Sequence, residues 1–150
     1  MNIGSGSGYP AGALSNFSPH RFTLDGVVCH SMEGFLQGLK YKNPDMQAHV
    51  CTLVGMGAKM KGKNKKWWKL QMLYWQGVEY PRKSAAYQSL LDRAYTAMYE
   101  QSESFRKALA AAGKGAVFTH SIGKSDQTRT VLTINEFCSR LMKLKNDGTI

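Results

Sequence analysis

Only ten of the 150 side chains are acidic, only three are cysteine, and no apolar run approaches the roughly 20 residues of a membrane-spanning helix. Each scarcity excludes something. Cys29, Cys51 and Cys138 are odd in number, widely spaced and free of any CxxC or Cys/His ligand pattern, which excludes a disulfide framework and gives no zinc site. They read as small buried hydrophobes. The opening stretch MNIGSGSGYPAGALSNF lacks the basic-then-apolar order of a secretory signal, and Asn2 stands where N-myristoylation needs glycine. A cytoplasmic location is therefore expected, with no membrane association. Internal repeats and long linkers are lacking too, so residues 1–150 are expected to form one domain, with 1–13 as a Gly/Ser-rich arm or loop.

What is abundant is positive charge. Twenty Lys and Arg against ten Asp and Glu leave a formal charge of +10. Such an excess draws anionic partners to the surface and speeds encounter, which suits nucleic acid, nucleotides or phosphorylated metabolites.

Helical patterns outnumber strand patterns, which predicts an α-rich α+β fold. Asp25-Gly26 between β-favouring runs is a two-residue hairpin signal. Ser31 caps a helix expected to reach about Lys42, with Met32, Phe35, Leu36 and Leu39 inward. Asn43-Pro44 opens a second, expected to bury Met46, Val50, Leu53 and Val54 and to stop near Gly55. The basic stretch AKMKGKNKKWWK reads as a loop, followed by a short helix or extended run through Trp75. Ser84 caps a long helix with the stripe Tyr87, Leu90, Leu91, Ala94, Tyr95 and Met98. Another helix is expected over 102–112, then a strand, AVFTHS. Thr133 and Glu136 form a capping box for the last helix.

Because acids are few, each can be given a role. Asp25 and Asp147 suit turns, Asp45 a helix's first turn, Glu136 a capping box, and Asp92, Glu100 and Glu103 solvated helix faces. Glu33, Glu79 and Asp126 remain. Glu33, Gln37 and Lys40 share one narrow helix stripe, flanked by Gly34 and Gly38. A mid-helix glycine costs about 0.8–1 kcal/mol relative to alanine. Either a ligand lies against that face, or the glycines permit close contact between helices. Spacing alone leaves both open.

LSNFSPHRFTLDG followed by SMEGFLQGLK resembles the start of the NADAR, or YbiA-like, family, and is most similar to versions carried by large tailed phages. The matching residues, in order and spacing, are Ser15-Asn16-Phe17, Phe22, Gly26, Glu33, Gln37 and Lys40. The likeness extends more loosely over residues 9–145. It departs late in the chain, where HSIGKSDQTRTVLT replaces the family's Asp-x-x-Trp-Gly stretch. It departs again at PRKSAAYQ, which supplies Arg82 and Tyr87 but no Arg-x-Asp-Trp.

The resemblance implies a single α-rich YbiA-like domain with a small β hairpin or sheet, and cleavage of an N-glycosidic bond. The implied activity removes ADP-ribose from guanine bases of DNA or RNA, reversing DarT-type toxin modification, in the host cytoplasm if phage-encoded. The first alternative is hydrolysis of phosphorylated riboflavin-biosynthesis intermediates. The second is a non-catalytic module binding nucleic acid or ADP-ribose. Glu33 is the implied catalytic residue, since a carboxylate can stabilise oxocarbenium character on ribose or take a proton from water. The expected substrate-binding set is Asn16, Phe17, Gly34, Gln37, Lys40, Arg82, Tyr87, His120, Ser121 and Asp126. For an ADP-ribosylated nucleic-acid substrate, Lys61, Lys63, Lys65 and Lys66 would follow the backbone, and Trp67 and Trp68 would stack on bases. No cofactor and no metal are expected.

Overall fold

Asp25 and Gly26 adopt φ of 49° and 79°, the left-handed pair that a two-residue hairpin needs. They join β1 (Phe22–Leu24) to β2 (Val27–Cys29). The computed structural model describes residues 1–121 and 126–150. The remaining elements are α1 (Met32–Gly38), α2 (Pro44–Cys51), α3 (Gly55–Gly62), β3 (Met72–Trp75), β4 (Val78–Pro81), α4 (Ala85–Gln101), α5 (Glu103–Ala111) and α6 (Ile134–Asp147). Strands β3 and β4 form a second antiparallel hairpin, turning at Gln76-Gly77, which the sequence reading did not anticipate. The two hairpins are separate sheets joined by side chains. Trp75 Nε1 donates to Asp25 Oδ2 at 2.8 Å, and Gln76 Nε2 donates to the Asp25 carbonyl.

Helix α1 lies in the middle of the molecule, against α2, α3, α4 and β2. Phe35, Leu36 and Leu39 are buried, and Phe35 meets Trp75 edge-on at 5.0 Å between ring centroids. Each such side chain contributes roughly 1.5–3 kcal/mol by leaving water. The expected stripe of α4 is buried in full, from Tyr87 to Met98, and packs toward Phe137, Leu141 and Leu144 of α6. Among the described residues, no helix is long and apolar enough to cross a membrane.

The starts of α1, α2, α4 and α6 fall where the caps predict, and α5, expected from 102, starts at Glu103. Ser31, Asn43, Ser84, Ser102 and Thr133 each accept a backbone N–H with the side-chain oxygen. Helix ends depart where the rest of the fold takes the carbonyls. α1 stops at Gly38 rather than near Lys42, because Gln47 Nε2 captures the Gly38 carbonyl and the Tyr74 N–H captures that of Leu39. α2 stops at Cys51, whose carbonyl accepts from the His30 N–H, while Ser31 Oγ donates to Leu53. Of the four residues expected inside α2, Val50 is buried, but Met46 and Val54 are exposed. The start of the lysine stretch is the helix α3 rather than a loop.

The expected strand over AVFTHS is a single parallel bridge, Asn2 to Thr119. That bridge ties down the start of the 1–13 segment, which was read as an arm or loop and runs as a loop up to a short turn of helix at Gly12–Leu14. The Ile3 N–H donates to Thr119, the Thr119 N–H to Met1, and the Ile3 side chain is buried.

Candidate active site

A cleft of about 510 Å³ opens between the 15–17 segment, α1, α3 and the chain from 129 to 133. Its volume lies within the range usual for small-molecule sites. α1 contributes Glu33 and Gln37, and the turn that follows it contributes Lys40, which together make up the stripe read from the sequence. The Glu33 N–H donates to the Asn16 carbonyl at 3.0 Å, tying the first turn of α1 to the Ser-Asn-Phe segment. Glu33 Oε1 accepts from Gln37 Nε2 at 2.9 Å. Burial pushes the Glu33 carboxyl above the usual glutamate range. The Gln37 hydrogen bond and the charges of Lys40, Lys59 and His120 oppose that shift without cancelling it. Burial likewise lowers Lys40, against the pull of Glu33. Raising a carboxylate in this way makes it a stronger acceptor of a proton from water.

Gln37 is fixed from behind. Its Oε1 is buried without a partner among the described residues, and Gly62 lies directly against it. A Cβ on Gly62 would overlap that oxygen. Lys40 Nζ approaches the Gly62 carbonyl at 3.4 Å, and Tyr41 Oη donates to Lys61, so the end of α3 is fastened along α1.

Asn16, Phe17, His120 and Ser121 also line the cleft. Asn16 Oδ1 accepts from Tyr95 Oη at 2.8 Å, which leaves the amide NH2 as its remaining donor. His120 Nδ1 lies 2.7 Å from the Ile3 carbonyl and must donate to it, leaving Nε2 for the cleft.

Several expected site residues are elsewhere. Arg82 does not line the cleft: its guanidinium makes a bidentate pair with Glu136 at 2.7 and 3.0 Å, and Nε donates to Thr130. Tyr87 is fully buried with its hydroxyl on the Val131 carbonyl, so it stacks on no base. Asp126 is exposed and accepts from the Thr128 N–H, outside the cleft lining. Gly34 faces the turn after α2; a Cβ there would come within 2.5 Å of the Leu53 carbonyl oxygen and 2.8 Å of that of Cys51. Gly38 similarly faces Cys51 Sγ at 3.0 Å. The two glycines therefore serve close packing and not ligand approach. Trp67 is buried and anchors the basic segment to the core, whereas Lys61, Lys63, Lys65 and Lys66 are exposed. The place expected to replace the family's Asp-x-x-Trp-Gly stretch falls partly on 122–125, outside the described residues.

The sequence reading missed Lys59 and Arg129, which with Lys40 set three cations around the single carboxylate of the cleft lining. Lys59 was visible inside the basic stretch, one helical turn after Met56. Nothing in the sequence around Arg129 marks it. Among the described residues, no cluster of His, Cys, Asp and Glu forms a metal site.

The fold is that of the YbiA-like α+β proteins. It matches the NMR structure of the E. coli protein YbiA with a TM-score of 0.63 and 18% identity, over 97% of this chain and 82% of that one. The chain belongs to the bacteriophage protein GP30.3 family, whose model matches residues 8–146. It is 37% identical over 150 residues to the uncharacterized 17.1 kDa protein in the Gp30-rIII intergenic region of Enterobacteria phage T4, covering 97% of each chain.

Proposed function

We propose that the protein is an N-glycosidase that removes ADP-ribose from guanine bases of DNA or RNA, and that it serves a phage in reversing DarT-type modification. One observation carries this reading: a half-buried carboxylate, raised by burial and oriented by Gln37, with Lys40, Lys59 and Arg129 also lining its cleft. A ligand neutralising that lining carries about two negative charges, as a pyrophosphate-linked nucleotide sugar does.

In the proposed reaction the C1–N bond of the ribose breaks and its electron pair stays on the departing nitrogen. Glu33 stabilises the positive charge that develops on the sugar. Water adds its oxygen to C1 and gives a proton to Glu33. The departing nitrogen takes up a proton in return, so that Glu33 ends ionised. Asn16 is placed to donate to a ribose hydroxyl or a base edge.

A phosphorylated riboflavin-pathway intermediate shares the ribosyl C–N bond and the phosphate, so the cleft alone accommodates either class. The exposed lysines at the end of α3 and just after it favour the polymer, because they continue from the wall of the cleft through the contacts of Tyr41 and Lys40. The deciding experiment incubates the protein with an ADP-ribosyl-guanine oligonucleotide and, separately, with the riboflavin intermediates, and identifies products by mass spectrometry. Free ADP-ribose and restored guanine are expected. Product from the metabolite alone overturns the polymer reading, and no product from either leaves a binding module.

A further inference from the structure

We propose that Arg129, seated over the ring of Trp68, is the phosphate clamp of the cleft and binds the pyrophosphate of a nucleoside-diphosphate sugar, with Lys59 as the second cation. The assignment rests on the cleft being the substrate site, and it gives the phosphate role expected of Arg82 to a different arginine.

The guanidinium carbon of Arg129 lies 3.7 Å from the centroid of the Trp68 ring. Stacking on an aromatic face holds the planar fork in one orientation and leaves its N–H edge free to bond. The backbone on both sides of Arg129 is braced. Gln71 Nε2 donates to the carbonyls of Trp68 and Thr128, both at 3.0 Å, which locks the turn carrying the arginine to the segment carrying its platform. Arg82 Nε donates to the Thr130 carbonyl at 3.0 Å. Two side chains thus fix the carbonyls immediately before and after Arg129, while its own guanidinium makes no ion pair among the described residues. Asp126, the nearby carboxylate, is engaged by the Thr128 N–H. A braced, stacked, exposed and unpaired guanidinium lining a cleft with Lys59 is arranged for bidentate contact with phosphate oxygens.

The remaining arginines near this corner are committed. Arg82 is closed by Glu136, and Arg140 pairs with Asp92 and bonds to Gln88. Arg82 is therefore a positioning residue for the Arg129 turn, one step removed from the ligand.

The test is calorimetric titration with two probes, inorganic pyrophosphate and ADP-ribose, and adenosine as the phosphate-free control. Arg129→Ala is expected to weaken both phosphate probes about tenfold or more, as loss of a charge-assisted hydrogen bond does, and to leave adenosine unchanged. Arg129→Lys keeps the charge but loses the stacked fork, so it should recover only part of the affinity. Lys143→Ala on α6 removes the same charge from an exposed position and should change nothing. If Arg129→Ala binds pyrophosphate and ADP-ribose as the unaltered protein does, or the protein binds neither, the clamp is overturned. Arg129-dependent binding in a protein that releases no ADP-ribose from modified guanine would uphold the clamp and overturn the glycosidase reading.

Discussion

Glu33 and Gln37 show how a single site residue is set by what surrounds it. Glu33→Gln removes the proton acceptor and is expected to lower kcat by about 10²–10⁴-fold in a steady-state assay. The same change should stabilise the fold at neutral pH. The folded protein raises the Glu33 pKa, so its protonated form is favoured by folding, and that contribution is lost as pH rises through the raised value. Thermal melts at pH 8 should therefore place the Gln variant above the parent, with the gap closing as the pH falls through the carboxylate range. A variant that melts lower at pH 8 would mean that the cations around Glu33 outweigh its burial. A second residue acts from outside the cleft. Gly62→Ala would press on Gln37 Oε1 and swing the amide that orients Glu33. We expect kcat to fall roughly 10–100-fold from such a displacement, with ADP-ribose affinity held within a factor of a few. An unchanged kcat would show that Gln37 does not orient the carboxylate.

Among the elements, α1 and α6 are secured by different physics. α1 is buried by close backbone approach to the turn after α2, and Gly34 is the residue that permits it. Gly34→Ala puts a methyl onto two carbonyl oxygens, so the helix must shift. Destabilisation of roughly 1–3 kcal/mol is expected in urea unfolding, where helix propensity alone would give a gain. α6 is secured at its first turn by Glu136, which closes the capping box and also pairs with Arg82. Burial opposes its ionisation, but Arg82, the Thr133 N–H and Gln88 together outweigh that and bring the carboxyl down to about 2. The resulting stability is complete above the ordinary glutamate range and fades as pH falls toward about 2. Glu136→Gln should cost roughly 3–5 kcal/mol at pH 7, because Arg82 is left buried and unpaired, and should flatten the acid limb of a stability–pH curve. A parallel acid limb in the variant would place the titration elsewhere. Both starts were legible because caps are local: an oxygen and the N–H two or three residues on. The β3–β4 turn was not, since Gln76 is no turn residue by type. It is held at φ 49° by Asp25 and Gln47, far away in sequence.

At the scale of the whole molecule, charge is the property that reads directly from sequence to behaviour. Replacing Lys61, Lys63, Lys65 and Lys66 with serine should lower kcat/KM on modified polymer and spare modified mononucleoside. The salt dependence of the polymer reaction should also become shallower, by roughly 0.7–0.9 in log–log slope for each phosphate contact removed. An equal polymer-to-nucleoside ratio at two salt concentrations would make these lysines plain solvated surface. The Glu33-Gln37-Lys40 stripe was visible because one helix and the turn directly after it carry all three. Arg129 was not, because its meaning depends on Trp68, Gln71 and Arg82, which the chain brings from some 50 residues away. The opposite error has the same origin: Arg82 and Tyr87 looked free to bind until α6 and the 130–131 segment closed over them.

Residues 1–3 pair with 117–119, and the Ile3 carbonyl holds His120. The helix bearing Glu33 is made early as the chain leaves the ribosome, and α1, α2 and α3 can associate through contacts close in sequence. The part of the cleft lining formed by residues 129–133 arrives late in the chain, and His120 is set when residues 1–3 meet 117–119. Completion of the cleft is thus a late event in the life of the nascent chain, reached only once residues 1–3 have met 117–119. Five of the described α-helices precede that closure along the chain, so most of the helix can form on the ribosome before the cleft is complete.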